Sequence, residues 1–390
     1  MSKARGYPLS TRHWHPQPTQ VRNPSTSLRR CLTKEEKEKV LRQLGAISSQ
    51  LSRLRLEKIG SLFEEGGRYT VKPCLSPGLL LHGRDKLGDV SRGPFLQESD
   101  YYRSLLSAFL LHIQCLPLED HAFFAPVPVL TEYHNYASYL SATDRWNDFV
   151  TVGSKIDSSK NRLDYFIAGQ FLEDMIPRFV TDSNACASSF GDGFPVCHTD
   201  LSHNNIFVDD DCNITCIIDW AFSSSVPMAE LLTTPSMPHP RDETEPSLVA
   251  AFRAGFTDHF EREEGKMLHP AIWKATRKRW LFTRLVNFDA LQDYSYFVEL
   301  YVLVYGERTT DIPSLFEEQH KTTSVSNMAN ILAADDQLPG DIKRDENAYF
   351  CNVGPERHAL ARKLTLASVL SRGLVADRKL WHWIEDAVTR

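Results

Sequence analysis

Residues 194–222 break the helical spacing of apolar residues that runs through most of the chain. Ile206–Val208 and Ile214–Ile218 are β-type runs, and the acidic turn Asp209–Asp211 with Asn213 separates them. Two such runs joined by a short polar turn are typical of a β-hairpin. The chain is therefore expected to be mainly helical, with at least one small antiparallel hairpin set among the helices.

Apolar residues recur at steps of three and four elsewhere, which predicts amphipathic helices. The first helix begins sharply, because Thr33 and Glu36 have the spacing of a capping box. A second hairpin is expected around Gly66-Gly67, where Lys72 belongs to an ordinary strand. Further helices are expected over about 100–115, 161–179, 245–262, 270–304, 356–371 and 375–388.

The charge is unevenly distributed along the chain, which bears on whether the protein binds nucleic acid. The 390 residues carry a net charge of −6, but residues 1–30 hold six Lys or Arg and no acid, so the remainder carries −12. An acidic body disfavours nucleic acid, which binds a basic face. The longest apolar run, Leu300–Tyr305, has six residues, whereas a membrane-spanning helix needs about 20. We expect no nucleic acid or membrane partner and a cytoplasmic location, with a mitochondrial one as the alternative suggested by the basic start.

Four residues in and beside the hairpin have the types that phosphoryl transfer requires. His198 and Asp200 precede the first strand, Asn205 follows five residues after Asp200, and Asp219 ends the second strand. Transfer needs a carboxylate that orients or deprotonates the attacking hydroxyl, and oxygen ligands for Mg²⁺. Asp200 would be the base, and Asn205 and Asp219 would bind the metal. The hairpin would return Asp219 to the Asp200–Asn205 loop.

This order, H-x-D-x-x-x-x-N followed one hairpin later by Ile217-Ile218-Asp219-Trp220, is similar to the catalytic and metal loops of kinase-fold enzymes. The I-I-D-W ending resembles the aminoglycoside phosphotransferase and choline kinase-like superfamily. Flanking stretches, among them K-I-G-S-L-F at 58–63, resemble fungal proteins with an aminoglycoside phosphotransferase domain, over roughly residues 33–305.

The resemblance implies a protein kinase-like α+β fold, mostly its helical C-lobe, with ATP and Mg²⁺ as cofactors. It implies transfer of the γ-phosphoryl group to a hydroxyl of a small-molecule acceptor, with Asp200 as base and Asn205 and Asp219 contacting metal and nucleotide. His198 would belong to the catalytic loop in a structural role. Bacterial members often carry His two residues after the catalytic Asp, where this chain has Ser202 followed by His203.

The domain organisation expected from these features has four parts. Residues 1–32 are a disordered basic tail, 33–305 the kinase-like C-lobe, 306–350 a long and partly disordered loop, and 351–390 a helical extension packed on the C-lobe. The tail is expected to lack structure because residues 1–30 contain four prolines and no hydrophobic period.

A kinase-fold enzyme also has an N-terminal β lobe, which supplies a Gly-rich loop and a lysine over the phosphates. Residues 1–32 contain one glycine and one lysine, Gly6 and Lys3, so this lobe is expected to be absent or truncated and activity impaired. One alternative is a non-catalytic kinase-fold remnant that acts as a binding module. Another is an all-helical interaction module with a coincidental motif.

The acceptor is left open by the sequence. Residues 242–264 contain seven Asp or Glu residues, in the region that the resemblance assigns to acceptor-binding helices. An acidic pocket would suit a cationic acceptor. The competing interpretation of these acids is a solvated helix face.

Overall fold

The computed structural model describes residues 4–15, 30–187, 190–239, 242–306 and 310–389. The chain divides into two compact units. Unit 1 comprises Met1–Leu81, Gly88–Leu105 and Ile176–Trp280, and unit 2 comprises His82–Leu87, Leu106–Met175 and Leu281–Arg390. The part of the chain that is described contains no helix both long and apolar enough to cross a membrane.

The strands found among the described residues are short, and all of these lie in unit 1. They are β1 (Tyr7–Pro8), β2 (Arg55–Leu56), β3 (Gly60–Glu65), β4 (Arg68–Lys72), β5 (Phe194–Cys197), β6 (Ile206–Val208), β7 (Ile214–Ile217) and β8 (Ser224–Ser225). Antiparallel pairing joins them into a five-stranded sheet with the order β2-β5-β8-β3-β4 and a three-stranded sheet with the order β1-β6-β7.

Helices make up most of the described chain. They are α1 (Lys34–Leu51), α2 (Pro77–Leu80), α3 (Glu98–Cys115), α4 (Tyr136–Thr151), α5 (Ser159–Ala187), α6 (Met228–Leu231), α7 (Pro246–Glu264), α8 (Ala271–Val286), α9 (Asp293–Tyr305), α10 (Ile312–Gln319), α11 (Thr323–Ala333), α12 (Pro339–Phe350), α13 (Pro355–Leu370), α14 (Arg372–Ala376) and α15 (Lys379–Thr389). The fold is thus mixed α/β and mainly helical, as expected.

Both predicted hairpins are confirmed. β6 pairs with β7 in the register Ile206 opposite Ile217, and β3 pairs with β4. The β3–β4 turn contains Gly66 and Gly67 at φ of 60° and 79°, a left-handed conformation that glycine adopts without steric cost. Lys72 lies in the outer strand of this hairpin and pairs with Glu65, so it is an ordinary strand lysine.

The first helix is also confirmed, together with its start. Thr33 Oγ1 accepts a hydrogen bond from Glu36 N at 3.2 Å, and Glu36 Oε2 accepts one from Thr33 N at 2.9 Å. The apolar stripe of α1 packs in one cluster with Ile206 and Val208 of β6 and with Phe252 of α7. The hairpin that follows the candidate catalytic loop is therefore anchored on the core of unit 1.

The prediction of a disordered tail over 1–32 is wrong for the described residues 4–15 and 30–32. Tyr7 and Pro8 pair with Val208 and Phe207 of β6, and Leu9 and Trp14 are buried in the α1 cluster. Local composition could not reveal this, because the strand partner β6 lies about 200 residues further along the chain. The rest of the predicted tail, 1–3 and 16–29, lies outside the described residues.

The prediction of a long, partly disordered loop over 306–350 is also wrong. This range contains α10, α11 and α12, while 307–309 lie outside the described residues. Each helix buries few apolar side chains, such as Phe316, Leu332 and Phe350. With so few apolar residues, the sequence of each helix resembles that of a polar loop.

The helical character predicted for 351–390 is confirmed by α13, α14 and α15. Leu364, Val375, Leu380 and Ile384 pack with Phe149 in one core cluster of unit 2. The units do not follow the predicted ranges, however. Residues 33–305 fall in both units, and the helices after residue 305 share unit 2 with Leu106–Met175.

Candidate functional site

The loop between β5 and β6 opens with a buried histidine. His198 is 7% exposed, and its Nε2 lies 2.8 Å from Ile218 O. A carbonyl oxygen can only accept, so Nε2 carries the proton and donates it there. The imidazole also packs edge-on against Trp220, with ring centroids 4.8 Å apart. This is the structural role predicted for His198.

Asn205 closes the same loop on itself. It is 8% exposed, and its Nδ2 donates to Asp200 O at 2.8 Å and, more weakly, to Asp200 Oδ2 at 3.4 Å. Its backbone oxygen accepts from Ile218 N at 3.0 Å. The amide group therefore holds the backbone of Asp200, and the main chain of Asn205 ties the loop to the end of the hairpin.

The backbone of Ile218 forms hydrogen bonds with two of the motif residues. Its N–H bonds to Asn205 and its carbonyl accepts from His198. Asp219 follows directly, so the hairpin returns it to the Asp200–Asn205 loop. A second tie joins Thr199 Oγ1 to Phe222 O at 2.6 Å. The structure thus places all four predicted residues in one hydrogen-bonded part of unit 1.

Asp219 adopts a left-handed backbone conformation, with φ 63° and ψ 54°. This region is uncommon for residues other than glycine, although Asp tolerates it better than most. The turn of 220–222 begins at this residue, and Trp220 Nε1 donates to Ile217 O at 2.9 Å. This conformation turns the chain sharply at Asp219, and the chain then continues into β8, which belongs to the five-stranded sheet.

The two carboxylates of the site are exposed to solvent. No Lys, Arg or His among the described residues forms an ion pair with Asp200 or Asp219, and the Asp219 carboxylate accepts no hydrogen bond from them. Two uncompensated carboxylates beside an amide are donors of the type that Mg²⁺ prefers, so the residue types fit this metal. Clusters of three or more His, Cys, Asp or Glu with metal-binding geometry do not occur among the described residues.

Glu230 is a half-buried acid of unit 1 that the sequence analysis did not single out. It lies in α6, just after β8, and Tyr101 OH donates to its Oε1 at 3.4 Å. Oε2 is buried without a hydrogen-bond partner among the described residues. Burial raises the pKa of Glu230 to about 7. Its position in Met-Ala-Glu-Leu, a polar residue within an apolar stretch, is the signal that could have found it.

The acidic residues of 242–264 form mainly surface ion pairs. Asp258 pairs with Arg42 at 2.9 Å, Glu264 with Arg53 at 2.9 Å, and Glu243 with Arg277 at 2.8 Å. These contacts occupy the acids that would otherwise create a negative pocket. They favour the solvated-face interpretation over a cationic acceptor site.

Asp209 organises the β6–β7 turn. Its Oδ1 accepts from the N–H groups of Asp211 and Asn213 at 3.0 and 2.8 Å, and its Oδ2 accepts from Asn213 Nδ2 at 2.8 Å. The hydrogen bonds from Asn213 lower the pKa of Asp209. This acidic run is a structural turn, distinct in role from Asp200 and Asp219.

Comparison with known proteins identified no relative. No protein-family model matches the chain, and no curated protein matches it significantly. The assignment of a function therefore depends on the motif and on the geometry of the loop.

Proposed function

We propose that this protein is an ATP- and Mg²⁺-dependent phosphotransferase of kinase-like fold, related to the aminoglycoside phosphotransferases and choline kinases. The acceptor is a hydroxyl group of a small molecule. One observation carries the proposal: Asp200 and Asp219 are exposed, lack ion-pair partners among the described residues, and are held in one loop system through Asn205, His198 and the Ile218 backbone.

Each residue has a defined part in the proposed reaction. Asp200 accepts the proton of the acceptor hydroxyl, while the oxygen of that hydroxyl forms a bond to the γ-phosphorus. The bond between that phosphorus and the β,γ-bridging oxygen breaks, and ADP leaves with the electron pair. Asn205 and Asp219 would hold the Mg²⁺, which neutralises charge on the phosphates when bound. His198 keeps the loop in place, because its bond to Ile218 O fixes the distance between the two carboxylate segments.

Nucleotide binding tests the metal assignment directly. Mg·ATP at a hundredfold excess over its Kd is expected to raise the free energy of unfolding by about 2.7 kcal/mol. Asp219→Ala should remove this stabilisation, whereas Asp211→Ala, an exposed acid of the neighbouring turn, should leave it intact. Thermal unfolding with and without EDTA measures the effect. Stabilisation that survives in Asp219→Ala would refute the role of Asp219.

Catalysis needs a separate measurement. Asp200→Asn should keep the Mg·ATP stabilisation, because the substitution leaves the metal ligands in place, and should abolish acceptor-dependent release of ADP. The assay screens hydroxylated small molecules, since the acceptor is open. Equal ADP release by the wild type and by Asp200→Asn would exclude Asp200 as the base.

A non-catalytic binding module of the same fold is the second candidate. Trp220 and Phe222 are 40% and 48% exposed directly after Asp219, and exposed aromatic residues beside a site are frequent contacts for a partner. This candidate predicts Mg·ATP binding or partner binding without ADP release. Acceptor-dependent turnover that requires Asp200 would exclude it.

A further inference from the structure

A small cavity of unit 1 lies between α7, α8 and the connection from α6 to α7, and the four motif residues are not among its described lining residues. Its volume is about 50 Å³. One water molecule needs about 10–15 Å³, whereas pockets for drug-sized molecules have about 300–1,000 Å³. The cavity therefore has room for a small ion or for one polar group of a larger molecule.

Arg253 of α7 lines this cavity without a polar partner. It is half-buried, its side chain forms no hydrogen bond or ion pair with the described residues, and its Nε is shielded from solvent. The guanidinium carbon lies 5.2 Å from the centroid of the Trp273 ring, and stacking on an aromatic face leaves the N–H groups at the edge of the guanidinium free to donate. A buried donor without an acceptor costs free energy, so an acceptor supplied by a ligand would remove this cost.

The charged groups of the wall leave one positive charge uncompensated. Arg277 of α8 also lines the cavity, 4.4 Å from the Trp280 ring centroid, and it pairs with Glu243 at 2.8 Å. Glu243 is the one acid among the described residues of the wall. Because its charge is balanced by Arg277, the charge of Arg253 remains. Burial, and then the charge of Arg277, lower the pKa of Arg253, as expected for a cation without an anionic partner.

Threonine hydroxyls supply the other polar groups of the wall. Three of them donate their protons to backbone carbonyl oxygens nearby in sequence: Thr233 to Ala229 at 3.1 Å, Thr244 to Pro235 at 3.3 Å and Thr276 to Ile272 at 2.9 Å. The fourth, Thr234, is half-buried, and its hydroxyl has no hydrogen-bond partner among the described residues. The wall thus offers uncommitted donors on two elements, Thr234 on the connection after α6 and Arg253 on α7.

We propose that this cavity binds a phosphate group, whose oxygens accept hydrogen bonds from Arg253 and Thr234 and whose charge compensates the Arg253 guanidinium. Arginine binds phosphate through two parallel N–H···O bonds. Donors on separate walls favour a tetrahedral group, because its oxygens point in more than one plane, whereas both oxygens of a carboxylate lie in one. The site lies wholly in unit 1 and does not depend on the phosphotransferase proposal.

Phosphorus NMR of inorganic phosphate with the full chain tests the site, because even weak binding broadens the phosphate resonance. EDTA is present, so that binding through Mg²⁺ at Asp200 and Asp219 does not contribute. Arg253→Gln should weaken phosphate binding by about tenfold, the loss expected for a charge-assisted hydrogen bond. Arg262→Gln, which changes an exposed arginine of the same helix outside the cavity, is the matched control and should leave the affinity unchanged.

A second variant removes the neutral donor. Thr234→Val deletes the hydroxyl at nearly constant volume and should weaken phosphate by about threefold, as expected for a neutral hydrogen bond, while the melting temperature reports that each variant still folds. Methyl phosphate distinguishes the two sources of the group. An affinity equal to that of inorganic phosphate assigns the site to a phosphate ester, and a weaker affinity assigns it to the free ion.

Competition tests the shape of the ligand at constant ionic strength. Sulfate, which is also tetrahedral, should displace phosphate, and acetate should displace it far less well. The proposal is overturned if inorganic phosphate does not bind at millimolar concentration, if acetate binds as tightly as phosphate, or if Arg253→Gln and Thr234→Val both leave the affinity for phosphate unchanged.

Discussion

Among single residues, Glu230 shows how burial changes an acid that sequence pattern alone leaves unremarked. Tyr101 is its hydrogen-bond donor, at a long 3.4 Å, and its second oxygen has no partner among the described residues. Desolvation penalises the charged form, so burial raises the pKa of Glu230 to about 7 from 4.5. The neutral carboxyl is the form that the fold favours.

This shift predicts how stability depends on pH. Between pH 4.5 and about 7 the folded chain keeps a proton that the unfolded chain has lost, so Glu230 lowers the free energy of unfolding across this window. Glu230→Gln, which is always neutral, should match the wild type near pH 4.5 and exceed it by up to about 3 kcal/mol above pH 7. Urea unfolding at a series of pH values measures the difference.

Glu64→Gln is the control for this pH dependence, because Glu64 is an exposed acid of the β3 strand. An exposed surface substitution of this kind should change the free energy of unfolding by less than about 0.5 kcal/mol. A Glu230→Gln effect that is the same at pH 5 and pH 8 would contradict the shifted titration of Glu230.

The candidate site was predictable at this scale because its information is local. The spacing from His198 to Asp219 covers one loop and one hairpin, and the bonds of Ile218 that join them lie within that segment. Local spacing could not supply the left-handed backbone of Asp219. It could not supply the environment of Glu230 either, because the hydrogen-bond donor Tyr101 comes from α3.

At the scale of elements, predictability followed the range of the contacts. The β6–β7 and β3–β4 hairpins pair neighbouring residues and could be predicted. β2 and β8 have two residues each and pair with strands far away in sequence: β2 with β5, and β8 with both β3 and β5. A two-residue run carries no alternation pattern, so these strands exist through tertiary contact alone.

Two glycines, Gly45 in α1 and Gly255 in α7, allow these helices to pack closely against each other. A Cβ on Gly45 would lie 2.1 Å from Phe252 O, and a Cβ on Gly255 would lie 1.9 Å from Arg42 O. Because the obstacles are backbone atoms, they cannot move aside without separating the helices. Glycine is therefore required here for close packing.

Gly45→Ala and Gly255→Ala should each lower the free energy of unfolding by about 2 kcal/mol or more, as overpacking does. Gly340→Ala in the first turn of α12 is the matched control, because a Cβ there meets open space. Chemical denaturation of the three variants measures the contrast. Equal stability of Gly45→Ala and Gly340→Ala would show that α1 and α7 do not approach as closely as described.

For the whole molecule, the notable contact joins residues near the start of the chain to the candidate site. β1 pairs with β6, and Ser10 N donates to His203 O at 3.0 Å, inside the loop between Asp200 and Asn205. Leu9 and Trp14 are buried against α1. Residues 4–15 thus support the loop from outside the motif, a role that no local pattern in this Pro-rich stretch indicates.

Trp14→Ala tests this support. Truncation of a buried Trp should cost about 3 kcal/mol or more, and the loosened segment should release His203, so that amides of 198–208 exchange hydrogen faster. Trp383→Ala is the matched control, since Trp383 is 66% exposed and Trp14 is 6% exposed, and it should change stability by less than about 0.5 kcal/mol. Hydrogen exchange read by mass spectrometry, with thermal unfolding, measures both effects. If Trp14→Ala lowers stability without faster exchange in 198–208, the segment stabilises α1 alone and does not brace the loop that carries Asp200.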